Sequence, residues 1–347
     1  MTGAPKIPRI SIVMAVHNGE AYLREAVESM LHQTVTDFEF IIVDDGSTDR
    51  SAEIIGSYGD ERIHLTRQDN MGLSRSLNRG LDLARAPYIA RMDADDISLP
   101  TRLEKQLAFM EVHRDIDVLG TWAETFGDRA PTAWKFPTDP KVIQCEMLFH
   151  SVLVHPSVLI RRKAIEQHNL RYDPQVPYAQ DFDLWHRAAA ELRYANLPEV
   201  LIRYRIRETN SDRVERRKKR NAILLEIYTR ALNQVGLTPT QDEIELHRAL
   251  GQFQFEPGLD FLVKTEQWLR KLRDANRVTR HFPASHFEDT IGKVWLAAFR
   301  RSRGDLFRAL KLFRSSPLSS LSRVSDRAST LLQRVLGSAS SVRAGLA

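Results

Sequence analysis

Cysteine is nearly absent from this sequence, since Cys145 is the only one in 347 residues. A single cysteine excludes an intramolecular disulfide, as is typical of proteins from a reducing compartment, and we expect Cys145 in the core. The chain also lacks an apolar run near the ~18 residues that cross a bilayer, and its first twenty residues lack a signal-type apolar core. We therefore expect a cytoplasmic protein.

Two glycine-rich phosphate-binding motifs are missing as well. Neither GxGxxG nor GxxxxGK[ST] follows the first predicted strand, where His17-Asn18-Gly19 stands instead. Their absence argues against a Rossmann dinucleotide site and a P-loop. A bound phosphate would then need another source of positive charge. A divalent cation is the simplest source in a region so rich in carboxylates.

Charge is distributed unevenly along the chain, although the net value is only +5. Residues 1–215 hold 26 Lys and Arg against 33 Asp and Glu, whereas residues 216–347 hold 24 against 12. We predict two domains, 1–215 and a basic α-helical domain 216–347. The basic helices could contact the anionic inner face of a membrane, or they could present only a solvated helical surface.

The pattern of apolar residues predicts an α/β fold. Strands at 9–16, 38–43, 63–66 and 87–92 alternate with helices at 20–33, 48–55 and 73–84. This spacing is typical of βαβ units, and therefore of a Rossmann-like, mostly parallel sheet with ligands at the carboxyl ends of its strands. Beyond these units the patterns predict strands at 118–126, 155–161 and 200–207, and helices at 102–113, 181–190, 223–232, 294–299, 306–313 and 321–336.

Acidic side chains follow the second predicted strand in Asp44-Asp45-Gly46-Ser47-Thr48-Asp49. A carboxylate at this edge of the sheet could accept hydrogen bonds from a ribose hydroxyl or a base N–H. Alternatively, Ser47 or Asp49 could simply cap the next helix. The segment alone leaves both interpretations open.

Three more carboxylates follow the fourth predicted strand, in Arg91-Met92-Asp93-Ala94-Asp95-Asp96. In an extended segment Asp93 and Asp95 point the same way, so both could reach one Mg²⁺ or Mn²⁺ ion. The alternative is a helix cap with solvated charge. We expect Arg91 to compensate Asp93 and Asp96 to cap the following turn.

Two further groups lie later in the chain. Asp181 precedes an apolar helical stretch and is either a helix N-cap or a general base for an alcohol. Arg203, Arg205 and Arg207 alternate along a predicted strand, so they share a face. That face suits either a diphosphate or the solvated edge of a sheet.

Taken together, the motifs resemble family 2 glycosyltransferases with a GT-A fold. The resemblance covers roughly residues 8–210 and rests on ISIVMAVHNGEAYLREAVESMLHQT, FEFIIVDDGSTD, NMGLSRSLNRGLDLARAPYIARMDADDISLPTRL, HPSVLIRR, YAQDFDLWHRAA and YRIR. It implies inverting transfer of a sugar from a nucleoside-diphosphate donor, such as a UDP-sugar, with Mn²⁺ or Mg²⁺ as cofactor. The implied acceptor is a hydroxyl of a glycan or lipid-linked molecule in bacterial surface polysaccharide synthesis, and no nucleic acid is expected.

The resemblance also implies roles for individual residues. Asp181 matches the catalytic base, and Asp95 matches the residue that holds the metal. The implied nucleotide-sugar contacts are Ala15, Val16, Asn18, Glu20, Asp45, Asp93, Arg205 and Arg207.

Two positions depart from the family pattern. Gln180 stands where a glutamate commonly precedes the base, and its neutrality should lower the pKa of Asp181 relative to that arrangement. Arg207 stands where relatives often carry histidine, and an arginine cannot ligate a metal. These departures leave two alternatives open: a non-catalytic nucleotide-sugar-binding or scaffold protein, and a nucleotidyltransferase. Oligomerisation through the C-terminal helices is a further option.

Overall fold

The computed structural model describes residues 7–207, 213–301 and 306–321. They divide into two compact units, one within Met1–Met147 and Ser151–Ile227, the other within Leu148–His150 and Tyr228–Ala347. The domain boundary expected near residue 215 falls in the first turn of a helix, Arg213–Gln234, and we keep it as a proposal. No helix in these ranges is long and apolar enough to span a bilayer.

In the part of the first unit that the structure describes, nine strands form one sheet. They are β1 Ile10–Val16, β2 Phe38–Asp45, β3 Ile63–Gln68, β4 Tyr88–Asp93, β5 Ile97–Ser98, β6 Val118–Gly127, β7 Ala133–Trp134, β8 Leu159–Arg161 and β9 Tyr194–Ile206. Their order is β3-β2-β1-β4-β8-β6-β9-β5, with β7 paired to β6. The first four strands are parallel as predicted, whereas β8 runs antiparallel to both of its neighbours. The sheet as a whole is therefore mixed.

Seven helices belong to the same unit in the described ranges. They are α1 Leu23–Leu31, α2 Ser51–Gly56, α3 Leu73–Leu83, α4 Arg102–Val112, α5 Pro140–Met147, α6 Arg162–Gln167 and α7 Gln180–Arg187. The apolar faces of α1 and α4 bury Leu23, Met30, Leu103 and Met110 in one core with the sheet. That core contains alternate residues of β1 and β2, whereas α3 covers the other face of these strands, where Gly80 approaches Val13. Strands covered on both faces need apolar residues at successive positions, which explains the continuous apolar runs of β1 and β2.

One predicted strand is partly wrong. Residues 155–161 are not strand throughout, because His155–Ser157 forms a 3₁₀ helix and only Leu159–Arg161 joins the sheet. Pro156 explains the difference, since proline has no N–H to donate to a ladder of hydrogen bonds.

The second unit is helical where it is described. Helix α8, Arg213–Gln234, passes from the first unit into it, and is followed by α9 Gln241–Gly251, α10 Leu259–Thr279, α11 Ala284–Arg301, α12 Leu306–Ser315 and a 3₁₀ turn at Pro317–Ser320. Inside this unit the Trp268 indole donates to His247 Nδ1 at 3.1 Å, so His247 Nε2 donates to the Leu148 carbonyl. The helix predicted at 321–336 lies outside the described residues beyond Leu321.

A close approach between α3 and β1 gives a stability prediction. A Cβ at Gly80 would lie 2.3 Å from Val13 Cγ1, and Val13 is buried. We expect overpacking in Gly80→Ala to destabilise the protein by about 1–3 kcal/mol. This loss should outweigh the roughly 1 kcal/mol of stability that the higher helix propensity of alanine contributes. Denaturant unfolding measures this change. Gly56→Ala in α2 is the matched control, because no atom lies within 4 Å of its added Cβ; equal stabilities of the two variants would contradict the prediction.

Candidate active site

Three strand ends form the edge of the sheet where the predicted site lies. In the parallel register, Ala15 of β1 pairs with Asp93 of β4, and Val16 pairs with Asp44 of β2. The loops after β1, β2 and β4 therefore lie side by side, as the sequence predicts. This edge therefore places Ala15, which the family resemblance assigns to the nucleotide sugar, next to Asp93.

Asn18 and Glu20 join the loop after β1 to the loop after β2. Asn18 has a left-handed backbone with φ +51°, its N–H donates to Ser47 Oγ at 3.0 Å, and its Oδ1 accepts from Thr48 N at 2.9 Å. Glu20 Oε2 accepts from Arg50 N at 2.9 Å. These bonds fix the shape of the predicted nucleoside pocket.

Asp45 is buried and organises the loop after β3. Its carboxylate accepts hydrogen bonds from Gln68 Nε2 and from the backbone N–H groups of Met71 and Gly72, at 2.8–2.9 Å. Burial acts to raise the pKa of Asp45, but the bonds from Met71, Gln68, Ser76 and Gly72 outweigh it, so the pKa is lowered. Asp45 is thus an ionised anchor of this loop. An open groove of about 630 Å³ lies beside it, lined by Gly46, Ser47, Arg67, Gln68, Asp69, Met71 and Arg79.

The three carboxylates after β4 converge. Asp93, Asp95 and Asp96 each place an oxygen within 4.8 Å of the other two. Asp93 forms an ion pair with the buried Arg91, as expected from the sequence. The role expected for Asp96 is wrong: it does not cap the next turn, but is buried and accepts from the Arg205 backbone N–H at 2.8 Å.

Charge is undercompensated in this acidic cluster, which we define as Asp93, Asp95 and Asp96. Burial and the neighbouring Asp93 raise the pKa of Asp95 and raise that of Asp96 well above its ordinary value. Asp96 Oδ2 is buried and has no hydrogen-bond partner among the described residues. Three converging carboxylates with an unsatisfied oxygen fit a divalent cation that prefers oxygen ligands.

The three arginines at the end of β9 share one face but differ in accessibility; Arg207 directly follows Ile206, the last residue of the strand. The guanidinium of Arg205 lies 4.1 Å from the Tyr22 ring centroid and 4.3 Å from that of Phe126, and it donates to the Asp95 carbonyl at 2.8 Å. It is therefore held inside the protein. Arg207 is the accessible member: its side chain is 53% exposed, and its Nη2 lies 3.0 Å from Asp95 Oδ2.

Asp181 is the second residue of α7. The N-cap position belongs to Ala179, which has a left-handed backbone and no capping side chain, so the structure does not use Asp181 as an N-cap. Burial raises the pKa of Asp181, while the backbone N–H of Phe182 and the charge of Arg91 partly offset that rise. The effect of burial counters the lowering expected from the neutral neighbour Gln180. A carboxylate with a raised pKa at a helix N-terminus can act as a general base near neutral pH.

Two tyrosines, Tyr172 and Tyr204, have raised pKa values to which the acidic residues of the site contribute. Burial raises the pKa of Tyr172 and of Tyr204, and the charges of both Asp93 and Asp181 contribute to each rise. Tyr172 also bonds His155 Nε2 through its hydroxyl, at 2.8 Å. Tyr172 lies outside the motifs quoted above, whereas Tyr204 begins the YRIR motif, which gave it no individual role.

Sequence similarity relates this chain to known proteins. A family model described as Glycosyl transferase family 2 matches residues 11–168. An uncharacterised glycosyltransferase of Methanocaldococcus jannaschii is 37% identical over 233 residues, which are 63% of this chain and 78% of that protein. The O-antigen biosynthesis glycosyltransferase WbnJ of Escherichia coli is 31% identical over 59% of this chain and 82% of its own length.

Solved structures show the same fold. TarS of S. aureus, residues 1–349, in complex with UDP-GlcNAc, has a TM-score of 0.57 and 19% identity, over 83% of this chain and 87% of that one. The fold and the edge of strand ends with its acidic cluster define a glycosyltransferase of GT-A type. The chain belongs to glycosyltransferase family 2, which confirms the resemblance, the fold class and the class of enzyme expected from the sequence.

Proposed function

We propose that this enzyme transfers a sugar, with inversion at the anomeric carbon, from a nucleoside-diphosphate donor to a hydroxyl of a glycan or lipid-linked acceptor. The observation that carries the proposal is the presence of two separate acidic groups, the acidic cluster after β4 and Asp181 in the first turn of α7. The acidic cluster, with a bound cation, suits the leaving diphosphate, and Asp181 suits the attacking hydroxyl. Family membership favours this reaction over the nucleotidyltransferase and non-catalytic alternatives.

The donor is proposed to bind along the edge of strand ends. The groove beside Asp45 suits the nucleoside, with Ala15 and Val16 at the end of β1 and Asn18 and Glu20 in the loop that follows. Asp93, Asp95 and Asp96 would hold a Mn²⁺ or Mg²⁺ ion. When bound, that ion would offset the negative charge of the diphosphate. Arg207 is the accessible cation beside the cluster and is proposed to contact the diphosphate.

Transfer then needs one proton acceptor on the other side of the sugar. In our proposal the acceptor oxygen attacks C1, the bond from C1 to the diphosphate oxygen breaks, and its electron pair leaves with the nucleoside diphosphate. Asp181 takes the proton of the attacking hydroxyl. Because attack and departure occur on opposite faces, an α-linked donor should give a β-linked product, which proton NMR of the product detects.

The nucleotide and the biological setting are proposed from relatives. TarS is described in complexes with UDP and UDP-GlcNAc, and WbnJ is named for O-antigen biosynthesis. We therefore propose a UDP-sugar as donor and bacterial surface polysaccharide synthesis as the setting. The excess of basic residues in 216–347 supports a separate proposal, contact of the C-terminal helices with an anionic membrane. Thermal stabilisation by UDP-, GDP- and dTDP-sugars, with and without Mn²⁺, tests the donor. Equal shifts with all three nucleotides would contradict the choice of UDP.

The ion pair between Arg207 and Asp95 predicts competition with the cation. We expect Arg207→His to bind Mn²⁺ up to about fivefold more tightly, because it frees Asp95 from a partner worth at most about 1 kcal/mol at the surface. Titration calorimetry with Mn²⁺ alone measures the change. Arg203→His is the matched control on the same face of β9, since Arg203 pairs with Glu124 instead. Unchanged or weaker Mn²⁺ binding by Arg207→His would contradict the competition.

A further inference from the structure

Helix α12 presents an apolar and basic face to solvent. Phe307 is 81% exposed, and Lys311 and Arg314 are exposed on the same face, at helical spacings of four and seven residues. Leu310 is partly exposed between them, and together these four residues line a shallow open groove with Ser315. We call Phe307, Leu310, Lys311 and Arg314 the α12 face. The helix contains no acidic residue.

The opposite side of α12 is fixed to its own unit. Ala309 and Phe313 are buried, and the Phe313 ring stacks on Phe299 at 4.3 Å and on Trp295 at 5.7 Å. The following turn is also tied down, because the Trp295 indole donates to Ser319 Oγ at 2.9 Å. Helix packing thus explains the buried side and leaves the exposed phenylalanine unexplained. A phenylalanine in water forgoes about 1.5–3 kcal/mol that burial would contribute.

Charge indicates which partner covers the α12 face. Val278 is exposed to a similar extent, 84%, but it lies in a groove whose lining includes Asp274 as well as Arg270 and Lys271. The α12 face has cations only. An aromatic residue flanked by lysine and arginine is typical of a helix that lies in the headgroup region of an anionic bilayer. Each cation near such a surface contributes about 1 kcal/mol of attraction.

We propose that the α12 face is a docking surface for an anionic lipid bilayer, with Phe307 inserted between headgroups and Lys311 and Arg314 against phosphates. This assigns the membrane contact of the proposed function to one helix. It does not depend on glycosyl transfer, so either proposal can fail without the other.

Vesicle sedimentation of the full chain tests the surface. Wild type should bind vesicles of phosphatidylglycerol and phosphatidylcholine in a salt-sensitive manner, and should bind phosphatidylcholine alone at least roughly tenfold more weakly. Phe307→Ser and the double variant Lys311→Glu, Arg314→Glu should each lose roughly tenfold or more of this binding. Phe307→Trp should keep it, and Val278→Ser is the matched control that should also keep it.

Three results would overturn the proposal: no binding of wild type to anionic vesicles, equal binding to both kinds of vesicle, or full binding by Phe307→Ser. The last result would assign binding to another basic segment, such as residues 322–347. If an acidic protein were the partner instead, the charge variants would bind anionic vesicles as wild type does, and that result would also contradict the proposal. The melting temperature of every variant, measured with and without UDP, checks that folding and nucleotide binding are unchanged.

Discussion

Asp181→Asn should lower glycosyl transfer by about 10²–10⁴-fold, the usual contribution of a general base, while leaving donor binding intact. The amide keeps the size of the side chain but cannot accept the hydroxyl proton. Release of nucleoside diphosphate measures the chemical step, and calorimetric titration with donor and Mn²⁺ measures binding. A fully active Asp181→Asn enzyme would remove Asp181 from the role of base.

The raised pKa of Asp181 adds a pH dependence to the same experiment. Because burial raises this pKa above its ordinary value, the base becomes protonated, and transfer falls, at a higher pH than for an exposed aspartate. A carboxyl whose pKa is higher folded than unfolded also destabilises the fold as pH rises through that range. Asp181→Asn removes a half-buried charge, so its unfolding free energy at neutral pH should equal or exceed that of wild type.

Asp95→Asn should have the second large effect, and on a different step. We expect it to lose most metal-dependent donor binding, because Asp95 is one of the two partly exposed carboxylates of the acidic cluster and the one that the family resemblance assigns to the metal. A metal site contributes several kcal/mol to phosphate chemistry. Titration of the donor with and without Mn²⁺ separates the metal-dependent part.

Asp115→Asn is the matched control for this substitution. It removes an exposed aspartate whose partner, Arg193, is itself exposed, and both donor binding and transfer should remain at wild-type levels. Asp95→Asn with unchanged Mn²⁺-dependent binding would contradict the metal role of Asp95.

The sequence predicted the parts of the fold that follow from periodicity. The alternating strands and helices through β4 were predicted within a few residues, because buried parallel strands and amphipathic helices leave strong patterns. It also predicted that the loops after β1, β2 and β4 share an edge, which the register confirms. The parallel topology made that inference possible, since all carboxyl ends then point the same way.

Other features had no local signal. The antiparallel insertion of β8 depends on long-range pairing, and Pro156 shortened the strand expected there. The bond from the Arg205 N–H to Asp96 joins residues 109 positions apart, so no pattern near Asp96 could reveal it. The same holds for Tyr172, which reaches His155 through the fold rather than through a motif.

The three arginines at the end of β9, with Arg207 just beyond it, illustrate both outcomes. Alternation along a strand predicted correctly that Arg203 and Arg205 share a face, since both guanidinium groups lie over the Phe126 ring. Alternation could not show that Arg205 is held inside the protein while Arg207 stays accessible beside Asp95, because accessibility depends on Tyr22 and Phe126 from other elements.

The central claim is a division of labour between the acidic cluster and Asp181, and one paired measurement tests it most directly. Donor binding and nucleoside-diphosphate release should be measured together, with a UDP-sugar and Mn²⁺, on wild type, Asp95→Asn and Asp181→Asn. We predict that Asp95→Asn loses binding and release together, whereas Asp181→Asn binds donor as wild type does and releases almost no UDP. Loss of donor binding in Asp181→Asn, or normal release by either variant, would contradict the account.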